Sequence, residues 1–167
     1  MAQKRKTNHK KSASGKPGAK KTGRGKRADN LDSALDVLEK IENETARAVK
    51  DNLTGDWRDN LFEIVMTRVD LAAPHKKLLA RLPEFARSEP SAVPGMARVY
   101  WGTMKRILQL ADAPARPHHV AAFGVLYASI IDTFFKDDTR DHAKTMAALD
   151  RRLGLFEQFA DFSSCAR

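Results

Sequence analysis

No residue among the first twenty-eight can anchor a hydrophobic core, and this confines any fold to the remainder of the chain. The segment carries eleven Lys and Arg and no Asp or Glu, and from residue 3 onward its apolar side chains are Ala13, Ala19 and Ala28. Gly15, Gly18, Gly23, Gly25 and Pro17 punctuate it. Such a stretch cannot bury enough apolar area to offset its ordering entropy, so residues 1–28 are expected to form a disordered basic tail. The formal charge of +9 divides accordingly. The tail contributes +11, and residues 29–167, with nineteen basic and twenty-one acidic side chains, contribute −2.

Eleven cations free of aromatic neighbours describe a phosphate contact surface. Lys4, Arg5, Lys6, Lys10, Lys11, Lys16, Lys20, Lys21, Arg24, Lys26 and Arg27 are the candidate nucleic-acid-binding residues. Binding through them would be steeply salt-dependent. Without Phe, Tyr or Trp to stack on bases, it would be blind to sequence. An acidic protein, an anionic membrane surface, or a solubilising leader with no partner are the other readings. Gly18-Ala-Lys-Lys-Thr-Gly23 has the glycine spacing of a phosphate loop, but Arg24-Gly25 stands where Lys and Ser or Thr are required.

The remaining residues, about 130, are enough for one domain with a single core. The expected boundaries are a helical domain over 29–162 and a short C-terminal tail over 163–167. Leu31, Leu35, Leu38, Ile41 and Val49 recur at helical spacing, with Asp29 or Asn30 as cap and Asp32 in the first turn. A break follows at Asn52–Gly55. Asp56 opens a second helix with Asp59 at N3 and a wide apolar face of Leu61, Phe62, Ile64, Val65, Met66, Val69 and Leu71. Pro74 begins a third, carrying His75, Leu78, Leu79, Leu82 and Phe85, with Pro83 as kink or stop. Ser88–Gly95 reads as a loop.

Met96, Val99, Tyr100, Trp101, Met104, Ile107, Leu108 and Leu110 define the next helix. Val120–Phe135 is apolar nearly all round, so at least two of its faces must be covered. Asp137-Asp138-Thr139 caps the last helix, whose stripe is Ala143, Met146, Leu149, Leu153, Phe156 and Phe159. Neither alternating strand patterns nor repeats appear. The expectation is an all-α bundle of about six helices.

The tail has neither the apolar stretch of a secretory signal nor the amphipathic face of a transit peptide. The longest uncharged apolar run, Val120–Ile131, is shorter than the roughly twenty residues of a membrane span. Cys165 is the sole cysteine, so no internal disulfide can form. A soluble, cytoplasmic protein without a transmembrane segment is expected.

Chemistry-bearing constellations are sparse. His118 and His119 are adjacent on a helix, so their side chains should diverge by about 100°. With His9, His75 and His142 they offer no zinc-ligand spacing. Asp132, Asp137, Asp138 and Asp141 cluster in sequence, three of them around a helix junction, where capping and solvation explain them. No catalytic signature is present, and a non-enzymatic protein with no metal or cofactor is expected. Met66, Tyr100, Trp101, Met104 and Tyr127 combine flexible thioethers with amphipathic rings, as an adaptable apolar ligand pocket would, or as plain core filling would. Phe134, Phe135, Met146, Leu149, Leu153, Phe156 and Phe159 form either a four-helix dimer interface, with Phe162 beside it, or an internal core.

The stretch from Asp59 through Leu61-Phe62, Met66-Thr-Arg68-Val-Asp70-Leu71 to Pro74-His75 resembles the opening of the C-terminal domain of TetR/AcrR-type regulators. Phe135-Lys-Asp-Asp-Thr-Arg-Asp-His-Ala-Lys-Thr-Met-Ala-Ala-Leu-Asp-Arg-Arg-Leu153 is similar to the closing motif of that group. The two landmarks also look like the ubiquinone-biosynthesis lipid-binding accessory family of the same fold. The resemblance spans roughly residues 31–160. It implies an all-α domain that binds a ligand and dimerises through its last two helices. The helix-turn-helix of a TetR regulator is absent, the basic tail standing in its place.

Two functions follow as expectations. The first is an atypical TetR-like transcriptional regulator or accessory DNA-binding protein, a homodimer that senses a small apolar ligand and contacts phosphates through its tails. The second is a lipid- or quinone-precursor-binding accessory protein. A shortened paralogue that heterodimerises with an intact regulator is a third reading.

Overall fold

The computed structural model describes residues 23–50, 53 and 55–165, with side chains described only within 31–163. These residues form an all-α fold. Five long helices carry it: α1 (Gly23–Val49), α2 (Trp57–Ala72), α5 (Val93–Leu110), α6 (Pro117–Lys136) and α7 (Ala143–Cys165). Two short ones, α3 (Lys76–Leu79) and α4 (Leu82–Ser88), bridge α2 to α5, with 3-10 turns at Ala73–His75 and Pro90–Ala92. Among the described residues there is no strand.

Helix α1 begins at Gly23 and takes in the last residues of the basic segment; the rest of that segment lies outside the described residues. Asp29 and Asn30 therefore sit inside the helix and do not cap it, a correction to the expected start. Lys, Arg and Ala are good helix formers, and a helix anchored downstream by buried Leu31 and Ala34 extends upstream cheaply.

Helix α2 starts where Asp56 accepts from the Arg58 and Asp59 amides at 2.9 and 3.0 Å, an ordinary side-chain N-cap. Its buried face is Leu61, Ile64, Val65, Arg68, Val69 and Ala72. The third expected helix is divided instead, and Pro83 stands in the first turn of α4 as a helix starter. Helix α5 ends at Asp112, whose φ of 59° is left-handed. There the Ala113 amide reaches the Leu108 carbonyl at 2.9 Å and the Asp112 amide the Gln109 carbonyl at 3.2 Å, the paired bonds of a Schellman stop.

The main core lies among α2, α5, α6 and α7, with Val49 of α1 at its edge. A second cluster joins Ile41, Val69, Ala72, Leu79 and Phe134, and a third joins Leu31, Ala34 and Phe85 under α4. Helices α6 and α7 pack most extensively, and they run antiparallel: His119 meets Ser163, Ser129 meets Arg152, and Asp137 meets Thr145. Helix α6 has the length and composition of a membrane span, more than the Val120–Ile131 run alone indicates. Here Phe123, Tyr127, Ile130 and Phe134 bury its inner side. Helix α7 continues to Cys165, so residues 163–165 belong to the helix and not to a separate tail.

Candidate ligand groove and association face

Four of the five expected pocket residues meet in the interior. Met104 and Tyr127 are buried in the main core, and Met66 and Tyr100 pack against it. The Tyr100 hydroxyl donates to the Gly124 carbonyl at 2.5 Å, and burial, reinforced by the neighbouring Tyr127 phenol, pushes it up to about 12. Trp101 follows Tyr100 on the helix, and its indole meets the Tyr100 ring edge to face at 5.2 Å between centroids. It is 42% exposed. It therefore borders the cluster from the surface side and does not share its interior, a correction to the expected five-residue pocket.

A polar network that the spacing argument passed over runs beside this cluster. Arg68 is buried, and its Nε donates to the Tyr127 hydroxyl at 3.3 Å. Glu42 of α1 accepts from the Thr103 hydroxyl at 2.9 Å and from Arg106 at 2.6 Å, tying α1 to α5. Burial would raise the Glu42 carboxyl, but the bonds from Arg106 and Thr103 and the positive charge of Arg68 outweigh it and leave it below its ordinary value. The available sequence signal was a cation, Arg68, standing three and four residues after Val65 and Ile64, inside an apolar stripe.

Outside this network, an open groove of about 500 Å³ runs between α5 and the start of α6. Trp101, Gly102 and Lys105 form one side, and Ala115, Pro117, Val120 and Ala121 the other. The indole of Trp101 is wedged over Gly124. A Cβ on Gly124 would lie 2.3 Å from Trp101 Cζ3, so only glycine admits this approach.

The expected dimer residues divide between two faces. Phe134, Leu149, Leu153 and Phe156 are buried in the chain's own core, which removes them from any interface; this corrects the expectation. Phe135 packs half-buried on the second cluster. Met146 and Phe159 stay partly exposed, at 42% and 38%. The most exposed large apolar side chains of these two helices are instead Val125 (68%) on α6 and Leu155 (55%) and Phe162 (75%) on α7. Leu155, Phe159 and Phe162 follow steps of four and three, one continuous helical stripe.

The histidines and aspartates have local roles. The His118 and His119 rings approach to 4.1 Å between centroids, closer than diverging neighbours should. Buried His119 pairs its Nε2 with the Ser163 hydroxyl at 2.7 Å, and burial, aided by His118 and Arg116, lowers its pKa. Asp132 pairs with Lys136 and Asp138 with Lys144 on the surface. Asp137 is buried, and its two oxygens accept from the amides and hydroxyls of Thr139 and Thr145. Among the described residues no three His, Cys, Asp or Glu side chains converge as metal ligands. Of the tail cations, Arg24, Lys26 and Arg27 fall in the first turns of α1, and the other eight lie outside the described residues.

Comparison with known proteins finds no matching family model, no matching curated protein and no matching solved structure.

Proposed function

We propose that this chain is a dimeric, non-enzymatic accessory DNA-binding protein of TetR-like regulator type, whose helical body senses a small apolar ligand. The observation that carries the reading is the outward stripe of Leu155, Phe159 and Phe162 on α7, one of the two helices through which the resembled regulators dimerise. A second copy seated there would bury side chains each worth about 1.5–3 kcal/mol on full burial. Helix α1 supports the coupling: it runs unbroken from the basic segment into the core, so a dimer would present two cationic segments on rigid stems. Their weak phosphate contacts then add through effective concentration.

The test is a salt series of duplex-DNA binding beside sedimentation of the same samples. The parent should dimerise and bind with a steep salt slope, about −0.9 per phosphate contact. Replacing Lys4, Arg5, Lys6, Lys10, Lys11, Lys16, Lys20 and Lys21 with Gln should flatten that slope without changing the mass. Leu155→Lys with Phe162→Lys should yield a folded monomer with weaker DNA binding. A parent that is monomeric, or that ignores DNA at about 50 mM salt, removes the reading. The α5–α6 groove favours a second reading, a lipid-binding accessory protein of the ubiquinone-biosynthesis type; ligand binding without DNA binding selects it.

A further inference from the structure

The groove between α5 and α6 holds a glycine that packing does not explain. Gly102 lies in the middle of α5, and nothing stands within 4 Å of the place its Cβ would occupy. A glycine there costs about 0.5–1 kcal/mol relative to alanine. Gly124, by contrast, is demanded by the indole above it. Gly102 lines the groove, and its missing side chain leaves that space open.

Two further features describe what would enter. The wedged indole of Trp101 offers a flat apolar wall that binding need not immobilise. One turn along, Lys105 is exposed, has no ion pair among the described residues, and is the only charged side chain lining the groove. A carboxylate-bearing ligand would meet one cation and no repelling acid, while its chain lay on apolar surface. The groove, about 500 Å³, is open to solvent, so a single chain would lie along it and not be enclosed.

We propose that the groove of Trp101, Gly102, Lys105 and Ala121 binds a free single-chain amphiphile with a carboxylate head, the head on Lys105 Nζ and the chain along Trp101. This rests on the ligand-sensing part of the function proposed above and specifies its site and ligand class.

The test is calorimetric titration of the full chain with dodecanoate below its micelle threshold, with dodecanol as the uncharged match. Saturable binding of one dodecanoate per chain is expected, with dodecanol about tenfold weaker. Lys105→Gln should lose about tenfold for dodecanoate and little for dodecanol, the worth of one charged hydrogen bond. Gly102→Ala should raise the melting temperature while weakening dodecanoate several-fold, a combination that unfolding cannot produce. Ala121→Trp, at an exposed position, should abolish binding with the fold intact.

Equal affinity for acid and alcohol overturns the proposal. So does parent-like binding in Gly102→Ala and Ala121→Trp, or binding only to anionic phospholipid vesicles. Groove variants that change the sedimenting mass but not dodecanoate binding assign the groove to a second copy and also overturn it. Loss of DNA binding with dodecanoate binding intact removes the nucleic-acid reading alone, and the converse removes this one alone.

Discussion

Replacing Asp137 with Ala should destabilise the fold by about 3 kcal/mol. The carboxylate closes α6 and caps α7 from eight residues away: one oxygen accepts from the Thr145 amide and hydroxyl, both at 2.8 Å, and the other from Thr139. Loss of an N-cap accounts for about 1 kcal/mol. Thr145 is fully buried, so its two abandoned donors add about 1–3 kcal/mol of unmet hydrogen bonding. At about 2–4 °C per kcal/mol for a chain of this size, the melting temperature should fall by roughly 6–12 °C.

The pH dependence supplies a second readout of the same group. Burial alone would raise the Asp137 carboxyl, but the four bonds from Thr139 and Thr145 outweigh it and hold the group well below the usual carboxylate range. A depressed folded pKa gives stability that is full above the unfolded value, about 3.9, and is lost progressively as pH falls below it. Urea unfolding from pH 6 to pH 2 should therefore show a steep decline in the parent that is shallower in Asp137→Asn. A loss below 1 kcal/mol in Asp137→Ala, or parallel pH profiles, would refute the assignment of Asp137 as the clamp between α6 and α7.

Two smaller perturbations test the backbone reading. Asp112→Gly should stabilise by about 0.5–1 kcal/mol, because it relieves a left-handed residue while keeping the Schellman bonds, whereas Asp112→Val should destabilise; urea midpoints at constant m-value check both. Gly124→Ala drives a Cβ to 2.3 Å from Trp101 and should cost about 1–3 kcal/mol despite alanine's better helix propensity, with a shift in indole emission. A more stable Gly124→Ala protein would show that the indole is not wedged.

The helical class was readable because apolar residues recur at three and four along the described body, a period that no strand can use. The site was readable only in part. Tyr100 and Trp101 group by chemistry and their rings do touch, but the indole stays 42% exposed at the surface edge, which residue chemistry alone does not reveal. On α7, Leu149, Leu153 and Phe156 point to the core while Leu155, Phe159 and Phe162 point outward. The two stripes interleave, and a reading by aromatic content merges them. Asp137 was legible as a cap of the last helix within Asp137-Asp138-Thr139, but not its reach, because capping rules look three residues ahead and this carboxylate accepts from the Thr145 amide eight residues on.

The apolar excess of α6 now has a physical use on each side. Its inner residues fill the core, Val120 and Ala121 line the groove, and Val125, one turn beyond Ala121, is exposed. The proposed groove and the proposed association surface thus meet on one helix, Ala121 and Val125 standing one turn apart, and the helix is clamped at its far end by Asp137. If a ligand on Ala121 shifts the backbone that positions Val125, the two sites are coupled. Linkage makes that coupling reciprocal: whatever factor dodecanoate applies to the dimer constant, dimerisation must apply to dodecanoate affinity. Sedimentation of the parent with and without dodecanoate, beside titration of the Leu155→Lys, Phe162→Lys monomer, measures the factor from both directions. Unequal factors would show that the ligand also binds outside the groove or that the double variant disturbs α6 itself.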